Sequence, residues 1–256
     1  MNILTLGDVV GTASVAYLKQ NLWQFRQSVN ADAVIVNGEN ASDIHGVSSA
    51  DAQAILDAGA DVVTLGNHAF GRRDVGTILS DSPFVIRPAN FPAMTPGSGY
   101  TVYNVCGYRM LCINIQGTAL MESLACPFAT VDRILEREKS AYDFALMDIH
   151  AEATSEKIAL ARYFDGRIAV MFGTHTHVKT ADEQILHGGS GYITDLGMTG
   201  PVDSVIGTEV SAVIERFRTK MPTRFTVASG EIKASCALFE IDDATNRVKS
   251  VRRVRF

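Results

Sequence analysis

Short apolar runs recur through this 256-residue chain, and most of them stop at a glycine followed by side chains that can bind a cation or move a proton. Ile3 to Leu6 stops at Gly7-Asp8, and Ala33 to Val36 at Asn37-Gly38-Glu39-Asn40. Val62 to Leu65 stops at Gly66-Asn67-His68, and Ile168 to Phe172 at Gly173-Thr174-His175-Thr176-His177. Phe144 to Ile149 ends at His150 without a glycine. Runs of this length, bounded in this way, read as buried strands. Between the first three, residues 14–28 place Val15, Leu18, Leu22 and Phe25 at helical spacing. Ser48 or Ser49 can cap a second helix through Ile55 and Leu56, closed by Gly59. Strand, helix, strand, helix, strand implies right-handed crossovers and a largely parallel sheet.

The middle changes character. Pro88, Pro92, Pro96, Gly97 and Gly99 punctuate a loop. Tyr100 to Cys106 and Arg109 to Ile115 then read as a hairpin turning at Gly107-Tyr108. Residues 128–138 read as a helix, and another runs through Ile158, Ala161 and Tyr163. A closing hairpin, Cys236 to Ile241 and Val248 to Val254, turns around Asp242–Asn246. No repeat, low-complexity tract or linker interrupts the chain, so one mixed α/β domain over residues 1–256 is expected.

Composition narrows the function classes. A formal net charge of -5 argues against an extended basic surface for nucleic acid, while leaving room for a single nucleotide. No apolar run reaches membrane-spanning length, and the N-terminus lacks a basic region before its short apolar run, so a cytoplasmic location is expected. None of Cys106, Cys112, Cys126 and Cys236 forms a Cys-x-x-Cys pair, and all read as structural or neutral. Cys106 and Cys112 sit in apolar stretches, where a thiol behaves as a small hydrophobe.

The chemistry gathers where the strands end. Asp8, Glu39, Asn40, Asn67, His68, His150, His175 and His177 all fall at or just beyond C-terminal strand ends, which share one edge in an open α/β sheet. Each alone has a plain reading. Gly-Asp is commonly a turn, Asn67 an Asx-turn residue, and a lone His150 a satisfied rim histidine. In His175-x-His177, alternate residues of an extended segment point the same way, which favours a shared ligand. Their conjunction on one edge points to metal, and carboxylate, amide and imidazole donors suit Mn, Fe or Zn better than Ca or Mg. Two metals need a bridging group with two oxygens, which Glu39 can supply.

The order Gly-Asp, Gly-Glu-Asn, Gly-Asn-His, His, Gly-Thr-His-Thr-His resembles the calcineurin-like metallophosphoesterase superfamily. Its usual first-motif histidine is missing, since position 10 is Val, and Glu39 replaces the usual bridging aspartate. These departures resemble a narrower family, the YmdB-like phosphodiesterases. Asn37-Gly-Glu-Asn-Ala41, Thr64-Leu-Gly-Asn-His68, Arg87-Pro-Ala-Asn90, His150 to Lys157, Gly173 to Val178 and Thr194 to Gly200 carry the likeness over nearly the whole chain. Phe70 and Gly71 stand where that family usually has Trp and Asp.

The resemblance implies a four-layer α/β/β/α sandwich with mixed sheets. It implies two metal ions, Fe or Mn favoured and Zn also suited, with Asp8, Glu39, Asn40 and His177 on the first and Glu39, Asn67, His150 and His175 on the second. A hydroxide between them would attack phosphorus, with His68 as general acid. The implied substrate is a small phosphodiester, 2′,3′-cyclic nucleotides favoured. The rivals are a phosphomonoesterase or 5′-nucleotidase and, in another class, a metal-dependent nucleotide sensor without turnover. Homo-oligomerisation is left open.

Other polar residues are read more plainly. His45 is an exposed loop histidine within reach of substrate, and His187 a surface turn residue. Arg72 or Arg73 is either a phosphate contact or a solvated side chain. Asp195 lines the pocket or supports a ligand histidine. The Glu152–Lys157 run starts a helix with a mostly solvated face, with Glu152 able to back a ligand.

Overall fold

The computed structural model describes residues 1–256. Its elements begin with β1 (Asn2–Leu6), β2 (Asp8–Val9), α1 (Thr12–Ser28), β3 (Ala33–Asn37), α2 (Ser49–Asp57), β4 (Val62–Thr64), α3 (Val75–Asp81) and β5 (Val85–Ile86). Then come β6 (Tyr100–Val105), β7 (Tyr108–Gln116), α4 (Pro127–Glu138), β8 (Phe144–His150), α5 (Thr154–Phe164) and β9 (Val170–Thr174). The chain closes with β10 (Gln184–Ile185), β11 (Gly191–Ile193), β12 (Met198–Pro201), α6 (Val210–Thr219), β13 (Ile232–Ile241) and β14 (Val248–Arg255).

Two mixed sheets result. In the first, β1, β3, β4 and β5 run parallel, and β13 enters antiparallel beside β1, flanked by β12 and β14. In the second, β7, β8, β9 and β11 run parallel, with β6 and β10 antiparallel at the edges. The first sheet is therefore less parallel than the opening of the sequence implies, because the tail hairpin folds into its middle. Nothing in the tail's own pattern tells which strand it will pair with.

Side-chain parity builds the layers, since alternate strand residues face opposite sides. Along β3, Val34 and Val36 join the core with α1 and α2, while Ala33 and Ile35 enter the core between the sheets. Along β8, Phe144 and Leu146 face the inter-sheet core, and Ala145, Met147 and Ile149 pack with α4 and α5. Helices, sheet, sheet, helices make the four-layer α/β/β/α sandwich with mixed sheets that the resemblance implies.

Some local features depart from the sequence reading. The hairpin turns at Cys106-Gly107, one residue earlier than expected, and both residues have positive φ (52° and 88°). That left-handed pair suits a two-residue hairpin turn and leaves Cys106 exposed rather than buried, whereas Cys112 is buried. Helices α3 and α6 are unforeseen. The first spans only seven residues and contains Gly76, so no long apolar stripe announces it; the second carries Val210, Val213, Ile214 and Phe217 at helical spacing, a legible signal, although only Val213 is buried. No helix is long and apolar enough to cross a membrane.

Candidate metal centre

On the inter-sheet face the strands change character at their C-terminal ends. By parity Asn37 continues Ala33 and Ile35, Thr64 continues Val62, Asp148 and His150 continue Phe144 and Leu146, and Thr174 continues Val170 and Phe172. All of these polar residues are buried. The apolar filling between the sheets thus ends in a polar floor, on which the loops after the strands set their side chains.

The eight residues singled out from the sequence meet there. His150 Nε2 lies 3.2 Å from Glu39 Oε1, 2.9 Å from Asn67 Oδ1 and 3.1 Å from His175 Nδ1. The Glu39, His150 and His175 donor atoms all lie within 4.8 Å of one another. Asp8 Oδ2 accepts the His175 backbone N–H at 3.1 Å, and Asp8 Oδ1 is 3.8 Å from His177 Nε2. Asn40 Nδ2 lies 3.1 Å from Glu39 Oε1 and 3.3 Å from His177 Nε2. Glu39 Oε2 accepts the His68 backbone N–H at 3.0 Å.

These residues fit a cation. Asp8 Oδ1 and Asn40 Oδ1 are buried without a hydrogen-bond partner, and such orphaned oxygens are costly unless something positive meets them. Three lone-pair atoms crowd one imidazole nitrogen that carries at most one proton, and a metal resolves that crowding. Oxygen and imidazole donors together suit transition metals.

Protonation follows burial. Burial lifts the Asp8 carboxyl to about 6, His177 and His150 opposing the rise. Burial would raise Glu39 too, but the adjacent His150 outweighs it and holds Glu39 well below the usual carboxylate range. Burial would lower His150, but Glu39 and Asp8 lift it above the ordinary histidine value. His175 is pushed down to about 3 by burial and by His150. Burial also lowers His68, with Glu39 opposing.

Beneath the cluster lies a buried network that the sequence reading missed. Asp148 Oδ2 accepts from Thr64 Oγ1 at 2.5 Å and Asn37 Nδ2 at 3.1 Å, and Asp148 Oδ1 accepts from Thr174 Oγ1 at 2.7 Å. Thr174 Oγ1 stands 2.9 Å from His150 Nδ1. Its hydroxyl proton is committed to Asp148, so Thr174 accepts from His150 Nδ1–H and points Nε2 at the cluster. The signal was legible: Asp148 sits two residues before His150, on the same face of one strand.

The histidine pair reaches the site differently from the expectation. Strand β9 stops at Thr174, and His175 and His177 have φ of 97° and 62°, so the segment is a tight turn rather than an extended strand. Asp195 holds that turn by accepting Thr176 N–H at 3.2 Å and Thr176 Oγ1–H at 2.8 Å. Lys157 Nζ binds Asp195 and the Thr174 carbonyl, each at 2.7 Å. The supposedly solvated Glu152–Lys157 run is therefore divided. Lys157 is fully buried, Glu156 accepts from Thr118 and Ala119, and Glu152 Oε2 lies 3.2 Å from His175 Nε2. Helix α5 turns Lys157 inward, toward carboxylate and carbonyl partners that a linear reading cannot locate.

Gly66 fits the floor by having no side chain: a Cβ there would overlap His150 Nε2 and Glu39 Oε2. Arg72 donates to the Ser42 carbonyl and lies 3.6 Å from Asp43, so it clasps two loops together, while Arg73 and His187 are exposed and touch none of the cluster. His45 is exposed and packs against His68, with ring centroids 4.2 Å apart and ring planes 40° from parallel.

The family model for YmdB-like proteins matches residues 4–254. The chain belongs to the YmdB-like family. One relative is the 2′,3′-cyclic-nucleotide 2′-phosphodiesterase of Bacillus subtilis (strain 168), 39% identical over 254 residues, covering 99% of this chain and 96% of that one. The crystal structure of a novel phosphatase from Mycoplasma pneumoniae superposes on this YmdB-like chain with a TM-score of 0.93 at 33% identity, covering 100% of this chain and 93% of that one. A hypothetical protein from Thermus thermophilus superposes at 0.94 with 38% identity, covering 100% and 99%.

Proposed function

We propose that this YmdB-like chain is a metal-dependent phosphodiesterase that hydrolyses small phosphodiesters, 2′,3′-cyclic nucleotides foremost. The observation that carries the reading is the convergence of Glu39, Asn67 and His175 on His150 beside the orphaned oxygens of Asp8 and Asn40. Asp8, Glu39, Asn40 and His177 would hold one cation, and Glu39, Asn67, His150 and His175 a second, with Glu39 shared. These donors leave Fe, Mn and Zn open, and the family resemblance favours Fe or Mn. When bound, such a pair supplies Lewis acidity toward a phosphoryl oxygen and lowers the pKa of a water.

The protein's own residues do the rest. Asp8 and Glu39 give the floor negative charge that a cation must balance. Thr174 and Asp148 hold a proton on His150 Nδ1 and turn Nε2 toward the cluster, where a cation would take the place of the Nε2 proton. His68 stands beside the cluster, its backbone fixed on Glu39 and its ring half-buried. A water would give one proton to bulk solvent; as its oxygen bonds to phosphorus and the ester bond breaks, protonated His68 gives its proton to the departing oxygen and is reprotonated from solvent. Burial lowers the His68 pKa, which makes its protonated form a stronger donor but a smaller share of the protein near neutral pH, so the rate should rise as pH falls toward the acid side of neutrality. The name of the Bacillus relative supports the choice of a cyclic nucleotide.

The test is a substrate panel on the purified protein with elemental analysis. A bis-aryl phosphodiester and a nucleoside 2′,3′-cyclic phosphate should turn over with added Mn, and a chelator should stop both. Preference for nucleoside 5′-monophosphates would instead support a nucleotidase. Binding of nucleotide by the metal-loaded protein without turnover would make it a sensor.

A further inference from the structure

His45 lies in the loop after Asn40, and three contacts fasten that loop to the segment after His68. Gly46, at φ 80°, meets Gly71 so closely that a Cβ on Gly46 would stand 2.9 Å from the Gly71 carbonyl carbon, and one on Gly71 would stand 3.0 Å from Gly46 Cα. Arg72 donates to the Ser42 carbonyl, and its guanidinium also faces Asp43 at 3.6 Å. Within the loop, Ser42 N–H donates to the Gly46 carbonyl at 3.0 Å. This clasp accounts for Gly71, because a larger residue there would drive the loops apart. Its product is the tilted contact of the His45 ring with the His68 ring, 40° from parallel.

The order of groups from the floor outward is therefore Glu39 and Asn67, then His68, then His45, then solvent. We propose that His45 is a specificity-determining residue, whose exposed imidazole forms the wall against which the nucleoside part of the substrate packs. This rests on the phosphodiesterase reading above. With phosphorus over the floor and the departing oxygen at His68, whatever that oxygen carries must pass His45. A flat ring with one face backed by His68 and its remaining surface open suits the apolar faces of a ribose and a base.

The test compares a nucleoside 2′,3′-cyclic phosphate with ethylene phosphate, which has the same reactive five-membered cyclic diester and neither sugar nor base. The Mn-loaded full-length protein is assayed as wild type, His45→Ala and His45→Phe. The ratio of kcat/KM for the nucleotide over ethylene phosphate should fall at least about fivefold in His45→Ala, the low end of what losing a ring beneath a base removes, mainly through KM. His45→Phe, which keeps a flat ring, should hold the ratio within about threefold of wild type. A His45→Ala ratio within about twofold of wild type overturns the proposal, whether both rates persist or both fall together. A wild type inert on both substrates overturns the phosphodiesterase reading itself, and this inference with it.

Discussion

Lys157 Nζ lies 2.7 Å from Asp195 Oδ2, and both side chains are shut away from solvent. The pair sits directly beneath the turn that carries His175 and His177, because Asp195 also holds Thr176. Lys157→Met would leave a buried carboxylate without its cation. Breaking such a pair from one side costs about 3–5 kcal/mol. Denaturant unfolding should show a loss of that size, and Mn affinity should fall with it as the turn loosens. A loss under about 1 kcal/mol would mean the pair is not holding the turn.

Thr174 links Asp148 to His150, and its hydroxyl is the whole of the link. Thr174→Val keeps the shape and removes the hydroxyl, while Thr174→Ser restores it. Metal affinity measured by calorimetry should drop about 10–100-fold in Thr174→Val and stay near wild type in Thr174→Ser, as expected when the partner that orients a ligand histidine is lost and regained.

Gly66 has His150 and Glu39 where its side chain would be. Gly66→Ala must displace one or both, and a misplacement of about 1 Å at a reacting centre can lower rate by about 100-fold. Turnover should fall by at least that factor and bound metal should fall with it, while far-UV circular dichroism stays native, because the clash is confined to the sheet edge.

Asp8 titrates near 6 in the metal-free protein, raised by burial from the ordinary value of 3.8. A raised carboxyl pKa means the folded chain binds this proton more tightly than the unfolded chain. Its contribution to stability is therefore present below the unfolded value and is lost as pH rises from about 4 to about 6. Metal-free wild type should lose stability relative to Asp8→Asn across that window. Metal binding competes with the same proton, so Mn affinity should weaken as pH falls below about 6.

Much of the site was legible because each of its residues follows a strand and the strands are strongly apolar. Asp8, Glu39, Asn67 and His150 could be placed on one edge from the runs that precede them. The residues beneath them were harder to see. Asp148 hides inside a run that reads as buried strand, and only its parity with His150 marks it as facing the floor. Lys157 sits among charges that look solvated, and its partner Asp195 is 38 residues away in sequence. Alternation in His175–His177 is a strand signal, whereas Asp195 and Asp8 bend the segment into a turn through contacts of long sequence separation. The place of β13 in the first sheet was hidden for a similar reason, since strand order is decided by partners and not by a strand's own pattern.

Glu39 is the residue on which both proposed cations depend, so Glu39→Gln with metal counting and turnover is the most direct measurement. The substitution keeps the side chain's size and removes the charge and one of the two oxygens a bridge requires. A shared-carboxylate site predicts about two metal equivalents in wild type, about one or fewer in the variant, and chelator-sensitive phosphodiester turnover that disappears with the second metal. Wild-type turnover and metal content in Glu39→Gln would contradict it.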